Sequence, residues 1–139
     1  MNANNRHVFE YVATLNETNT LEQAVNDVLD KQRGSMNLLH RQVRASQVIR
    51  ENGEDFPVIV RLEYLPSEDE VNKRERVSMF VCTYDEIEGN LLRICNNFIF
   101  DRKMIVAVKY RLFLDAQRNR EVNAIVAVFY EILNDKIAS

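Results

Sequence analysis

Glycine occupies only Gly34, Gly53 and Gly89, and proline only Pro57 and Pro66. These residues supply most tight turns, so a chain this poor in both must place most of its length in long regular elements. The scarcity also excludes function classes. A phosphate-cradling loop needs glycines clustered so that backbone amides approach the anion. The three glycines are far apart, and neither a Walker nor a dinucleotide-binding fingerprint is present.

The length, 139 residues, fits a single domain over 1–139. With 46% hydrophobic and 28% charged residues, the composition is that of a globular chain able to bury a core. No run approaches the roughly 20 apolar residues of a membrane-spanning helix. The N-terminus, MNANNRHVFE, lacks a basic-then-apolar leader plan. Two cysteines, Cys82 and Cys95, cannot build a disulfide scaffold. A cytoplasmic location is the expectation.

Periodicity divides the chain into a helical part, 1–53, and a mainly β part, 54–139. Val8, Tyr11, Val12 and Leu15 share one helical face, which predicts a helix from Arg6 to Glu17. Thr20 and Gln23 have capping-box spacing. Behind them, Leu21, Val25, Val28 and Leu29, then Met36, Leu39, Val43 and either Val48 or Ile49, form an apolar stripe. The stripe predicts one long or mildly kinked helix ending at Asn52-Gly53. At 1.5 Å per residue it would span roughly 40 Å, more than a sheet of ordinary strands covers.

After Gly53 the period becomes 2. Val58, Val60, Leu62 and Tyr64 alternate with Ile59, Arg61 and Glu63, a half-buried strand between Pro57 and Pro66. Ser67 to Glu75 reads as a charged loop, and Arg76 to Thr83 as a second strand. Thr83 and Glu86 again have capping-box spacing. Ile87, Leu91, Ile94 and Phe98 then favour a helix over 84–98, with a strand from Leu91 to Phe100 as the alternative. Lys103 to Leu114 and Val122 to Leu133 read as a long hairpin, with a helix over the second as the alternative. No internal repeat is legible. The fold class is α+β: N-terminal helices, one of them long, on an antiparallel sheet of about four strands.

Catalytic and metal chemistry find little support. His7 and His40 lack partners at ligand spacing. Cys82 and Cys95 lie among apolar residues and read as buried, reduced core thiols. Glu68, Asp69 and Glu70 lack the alternating oxygen plan of a calcium loop. Asp85, Glu86 and Glu88 suit a helix start, where negative charge is favourable. No nucleophile–base pair, metal set or cofactor motif emerges.

Charge segregation rises above this background. Lys31, Arg33, Arg41, Arg44 and Arg50 share residues 31–50 with no acid. Residues 51–90 are strongly acidic. Residues 91–120 hold Arg93, Arg102, Lys103, Lys109, Arg111, Arg118 and Arg120 against Asp101 and Asp115. Complementary blocks steer association and fix its register. The leading expectation is a non-enzymatic, self-associating structural or adaptor protein, a homo-oligomer acting through protein contacts. In it Glu68, Asp69 and Glu70 form an acidic contact patch for Arg41 and Arg44. The alternative is a nucleic-acid-binding module using the basic helix 31–50 and strand 102–111, with Arg33, Arg41, Arg44, Lys109 and Arg111 on the phosphates.

Overall fold

A computed structural model describes residues 7–32, 34–45, 48–50, 53–55, 57–71, 74–114 and 122–133. The chain is α+β, and its described residues build one supersecondary unit twice. The first unit is strand β1 (His7–Thr14), a 3-10 turn (Leu15–Glu17), helix α1 (Thr18–Gln32), strand β2 (Gly34–Ala45) and, after the small hairpin of β3 (Val48–Arg50) and β4 (Gly53–Asp55), strand β5 (Pro57–Val71). The second is β6 (Glu75–Thr83), a 3-10 turn (Tyr84–Glu86), α2 (Ile87–Asp101), β7 (Lys103–Leu114) and β8 (Val122–Ile132). In each unit the last strand enters the middle of the sheet. The orders are β1-β5-β2 and β6-β8-β7, and all pairings are antiparallel.

One displacement along the chain carries Thr14 to Thr83, Glu17 to Glu86, α1 onto α2 and β2 onto β7. Both helices have 15 residues, and β2 and β7 both have 12. Each helix begins behind the same bracket. The Glu17 carboxylate accepts the Thr14 amide at 3.3 Å and hydroxyl at 2.9 Å. The Glu86 carboxylate accepts the same groups of Thr83 at 3.0 and 2.9 Å. The repeat that the sequence hides is therefore a repeat of topology and capping, and few aligned residues coincide: Val8 with Val77, Val12 with Val81, Thr14 with Thr83, Glu17 with Glu86 and Arg33 with Arg102.

Several expectations are corrected. Residues 7–14 form a strand, not a helix. Phe9, Tyr11 and Ala13 join the core while Val8 and Val12 point out. Apolar residues on both faces hide the alternation. The long helix ends at Gln32, and β2 follows. Two features disguise β2. A bulge between Leu38 and His40 breaks the period, and Arg41 takes an inward position opposite Leu62. The Thr20–Gln23 bracket is not the one used, because the Thr14–Glu17 pair caps this segment. The region read as a loop from Ser67 is strand up to Val71, with Val71 opposite Gly34. The four-stranded sheet is instead a pair of three-stranded sheets with a small hairpin. The second strand, the helix behind Thr83 and the Lys103–Leu133 hairpin appear as expected.

The core follows from the two sheets. β8 is buried from Asn123 to Tyr130, and its two faces serve different clusters. Ile125, Ala127 and Phe129, with Val77 and Met79, face α1 and the first sheet. Ala124, Val126 and Val128, with Cys82, face α2. The second sheet is thus covered on both sides, α1 lies within the larger cluster, and α2 lies at an outer edge of the smaller one. Each fully buried side chain such as Leu21, Leu62 or Phe129 contributes roughly 1.5–3 kcal/mol of transfer free energy.

Candidate interaction surfaces

Strand β6 runs along α1 and reaches β2. The Asn26 amide brackets Val77: Nδ2 donates to the Val77 carbonyl at 3.0 Å, and the Val77 amide donates to Oδ1 at 2.7 Å. The Met79 amide donates to Glu22 Oε1 at 2.6 Å. Arg76 pairs with Asp30 at 2.8 Å. The Asn26 and Glu22 contacts satisfy backbone groups on the edge of the second sheet that would otherwise be open to a foreign strand. Arg41 completes the junction. Its Nε and Nη2 donate to the two Glu75 oxygens at 2.7 and 2.5 Å, a bidentate pair, and its guanidinium lies 5.6 Å from the Phe129 ring centre. Beside it, the Tyr64 ring meets Phe9 edge-on at 5.6 Å. Burial, then the Glu75 carboxylate, push the Tyr64 hydroxyl far above its ordinary value.

The corresponding surface of the second unit is open. Between α2 and β7 lies a groove of about 510 Å³, lined by Tyr84, Ile87, Leu91, Leu92, Cys95 and Tyr110, with Asp85 and Glu88 its charged residues. Leu91, Cys95 and Ile99 stand where α1 carries Glu22, Asn26 and Asp30. Tyr110 stands where β2 carries Arg41. Each side chain that grips β6 thus has an apolar or aromatic counterpart in the second unit. Leu92 is 64% exposed, Ile99 73% and Phe100 86%. Leu112, Leu114 and Val122 extend the exposed apolar surface over β7 and β8. Cys82 is buried as expected, and burial raises its thiol. Cys95 is exposed on α2, which corrects the expectation of two core thiols.

The basic residues named from sequence divide. His40, Arg41, Gln42, Lys109 and Arg111 line a cleft of about 450 Å³ between β2 and β7, together with Glu63 and Tyr110. Lys109 and Arg111 are exposed, whereas Arg41 is committed to Glu75. Arg44 is exposed on the outward face of β2, opposite Ile59. Arg33 lies outside the described residues. So do the side chains of Glu68, Asp69 and Glu70, although their backbone belongs to β5. Lys103, not singled out by sequence, sits over Phe98 and Tyr130 at 5.4 and 5.1 Å. Among the described residues no three His, Cys, Asp or Glu side chains form a metal set, and no helix is long and apolar enough to cross a membrane.

Spacing alone does not reveal the apolar groove, because it places Ile87 and Leu91 on a helical face and Cys95 among apolar residues without showing what covers them. Setting Val12-Ala13-Thr14-x-x-Glu17 against Val81-Cys82-Thr83-x-x-Glu86 is the signal that finds it, because that alignment exposes the polar-to-apolar changes along the helix. No family model, curated protein or solved structure matches this chain.

Proposed function

We propose that this chain is a self-associating structural or adaptor protein whose contact surface is the open face of its second unit. The observation that carries the reading is the contrast between equivalent surfaces. The α1 surface holds a strand through charged and amide side chains, and the α2 surface is apolar and bare. A contiguous exposed apolar surface around a groove marks an interaction site. Sedimentation across the micromolar range tests the proposal. The mass should rise above 16.3 kDa with concentration and persist in high salt, since the contact is apolar. A monomer throughout overturns it.

A second reading is supported by the basic cleft, which gathers His40, Lys109 and Arg111 beside Arg41. Under it, the cleft follows a phosphate backbone. A short single-stranded oligonucleotide should bind with steep salt dependence, and Lys109→Ala with Arg111→Ala should flatten that slope. No binding at low salt rejects it. Both substitutions leave Arg41 and Glu75 themselves unchanged.

A further inference from the structure

We infer that the groove between α2 and β7 receives the outward face of the first sheet of a second copy, so that chains join head to tail. The inference rests on the proposed self-association and specifies its partner surface.

Within one chain the first unit is covered by the second unit's sheet. The covering face presents Val77, Val81 and Ile125, with Val81 opposite Ile125 in the β6–β8 pairing. The first sheet carries the same pattern on its outward face. Val8 and Val12 are the counterparts of Val77 and Val81, and Val12 lies opposite Ile59 as Val81 lies opposite Ile125. These valines are among the few residues identical between the units. In the second unit they are covered by the rest of the chain. In the first, Val8 is 43% and Val12 64% exposed. Among the described residues the outward valine pair and Leu92 of the groove are exposed alike.

The groove's charged residues are Asp85 and Glu88, and the outward sheet face mixes Arg44 and Arg61 with Glu10 and Glu63, so the apolar contact and not net charge carries the pairing. The Arg61 guanidinium is held only at 4.0 Å from Glu10 and from Glu63. The two junctions differ in one respect. Leu91 and Cys95 cannot accept or bracket a strand's amides as Glu22 and Asn26 do, so side chains alone hold the junction between copies. It is therefore weaker than the junction within the chain, and reversible. A contact between two different surfaces either closes into a ring or grows into a filament.

Two variants test this in the full chain: Val12→Asp on the sheet face and Leu92→Asp on α2. Both sites are 64% exposed, so each variant should fold, which circular dichroism checks. Alone, each should self-associate at least tenfold more weakly than wild type. Mixed in equal amounts, they should form a pair of two chains that does not grow, because one intact groove meets one intact sheet face. If Val12→Asp assembles like wild type while Leu92→Asp stays monomeric, copies meet α2 to α2 and the inference is overturned. If wild type assembles and neither variant weakens it, the inference and the chosen surface both fail. A wild type that never assembles removes the proposed function as well.

Discussion

α1 and α2 have equal length, begin behind equivalent threonine–glutamate brackets and lie against equivalent sheets, yet they live in different environments. Val25 of α1 is fully buried, and its counterpart Ile94 is only half-buried. Leu21, Val28 and Leu29 are buried around it, whereas α2 has no buried residue. The local plan fixes where a helix starts and which sheet it lies on. What covers its second side is decided by the neighbouring unit, and the side-chain chemistry has followed. α1 carries a polar strip of Glu22, Asn26 and Asp30 that meets β6, and α2 carries half-buried Leu91 with exposed Cys95 and Ile99 in the same places.

The largest expected effect separates the cores. Leu21→Ala should lower stability by about 2–5 kcal/mol through lost burial and a cavity, while Leu92→Ala should stay within about 0.5 kcal/mol in the monomer. Urea unfolding at low concentration compares them. Equal costs would mean that the two helices are equally packed.

Next comes the Arg41–Glu75 junction between the units. Removing one partner leaves the other mostly buried and unpaired, so Arg41→Met or Glu75→Gln should cost about 3 kcal/mol. The double change Arg41→Met with Glu75→Leu should recover much of that loss, because both charges leave together. Additive losses would refute a direct pair.

Exchanging one position between the helices gives a smaller effect that differs between the two sites. Asn26→Cys strands the amide and carbonyl of Val77 and should cost about 1–3 kcal/mol. Cys95→Asn should be close to neutral for folding and should weaken self-association, since it places an amide in the apolar groove. Equal effects on folding would show that the two surfaces are not distinguished as described.

The smallest effects should be alike in the two units. Thr14→Ala and Thr83→Ala should each cost about 1 kcal/mol. The Glu86 carboxyl is held below the usual range by the Thr83 amide and then by its hydroxyl. A lowered folded value means that its contribution is complete above the ordinary glutamate range. It is lost as pH falls below that range and through the folded value. Glu86→Gln should therefore flatten that part of the acid unfolding curve.

Legibility in the sequence followed the same division. β5 up to Pro66, β6, α2 and β7 are readable because their apolar residues recur at the period of their own element, and β8 because it is a run of β-branched and aromatic residues, buried on both faces. β1 was not, since Val8 and Val12 make its outward face apolar too. β2 was not, since a bulge shifts its period and Arg41 sits inward, where its charge is matched by a residue distant in sequence. Arg41, Lys109 and Arg111 were named from charge alone and do converge, but nothing local revealed that Glu75 holds Arg41. The apolar groove was invisible for a related reason: helical spacing tells which residues share a face and not whether anything covers it.

Hydrogen exchange in α1 and α2, followed from low micromolar to near-millimolar protein, tests the difference between the units most directly. Helix α1 should be strongly protected at every concentration, because its cover belongs to the same chain. Helix α2 and β1 should be weakly protected when dilute and gain protection together as concentration rises. Protection of α2 that is already equal to that of α1 at the lowest concentration, or that never changes, would contradict the account.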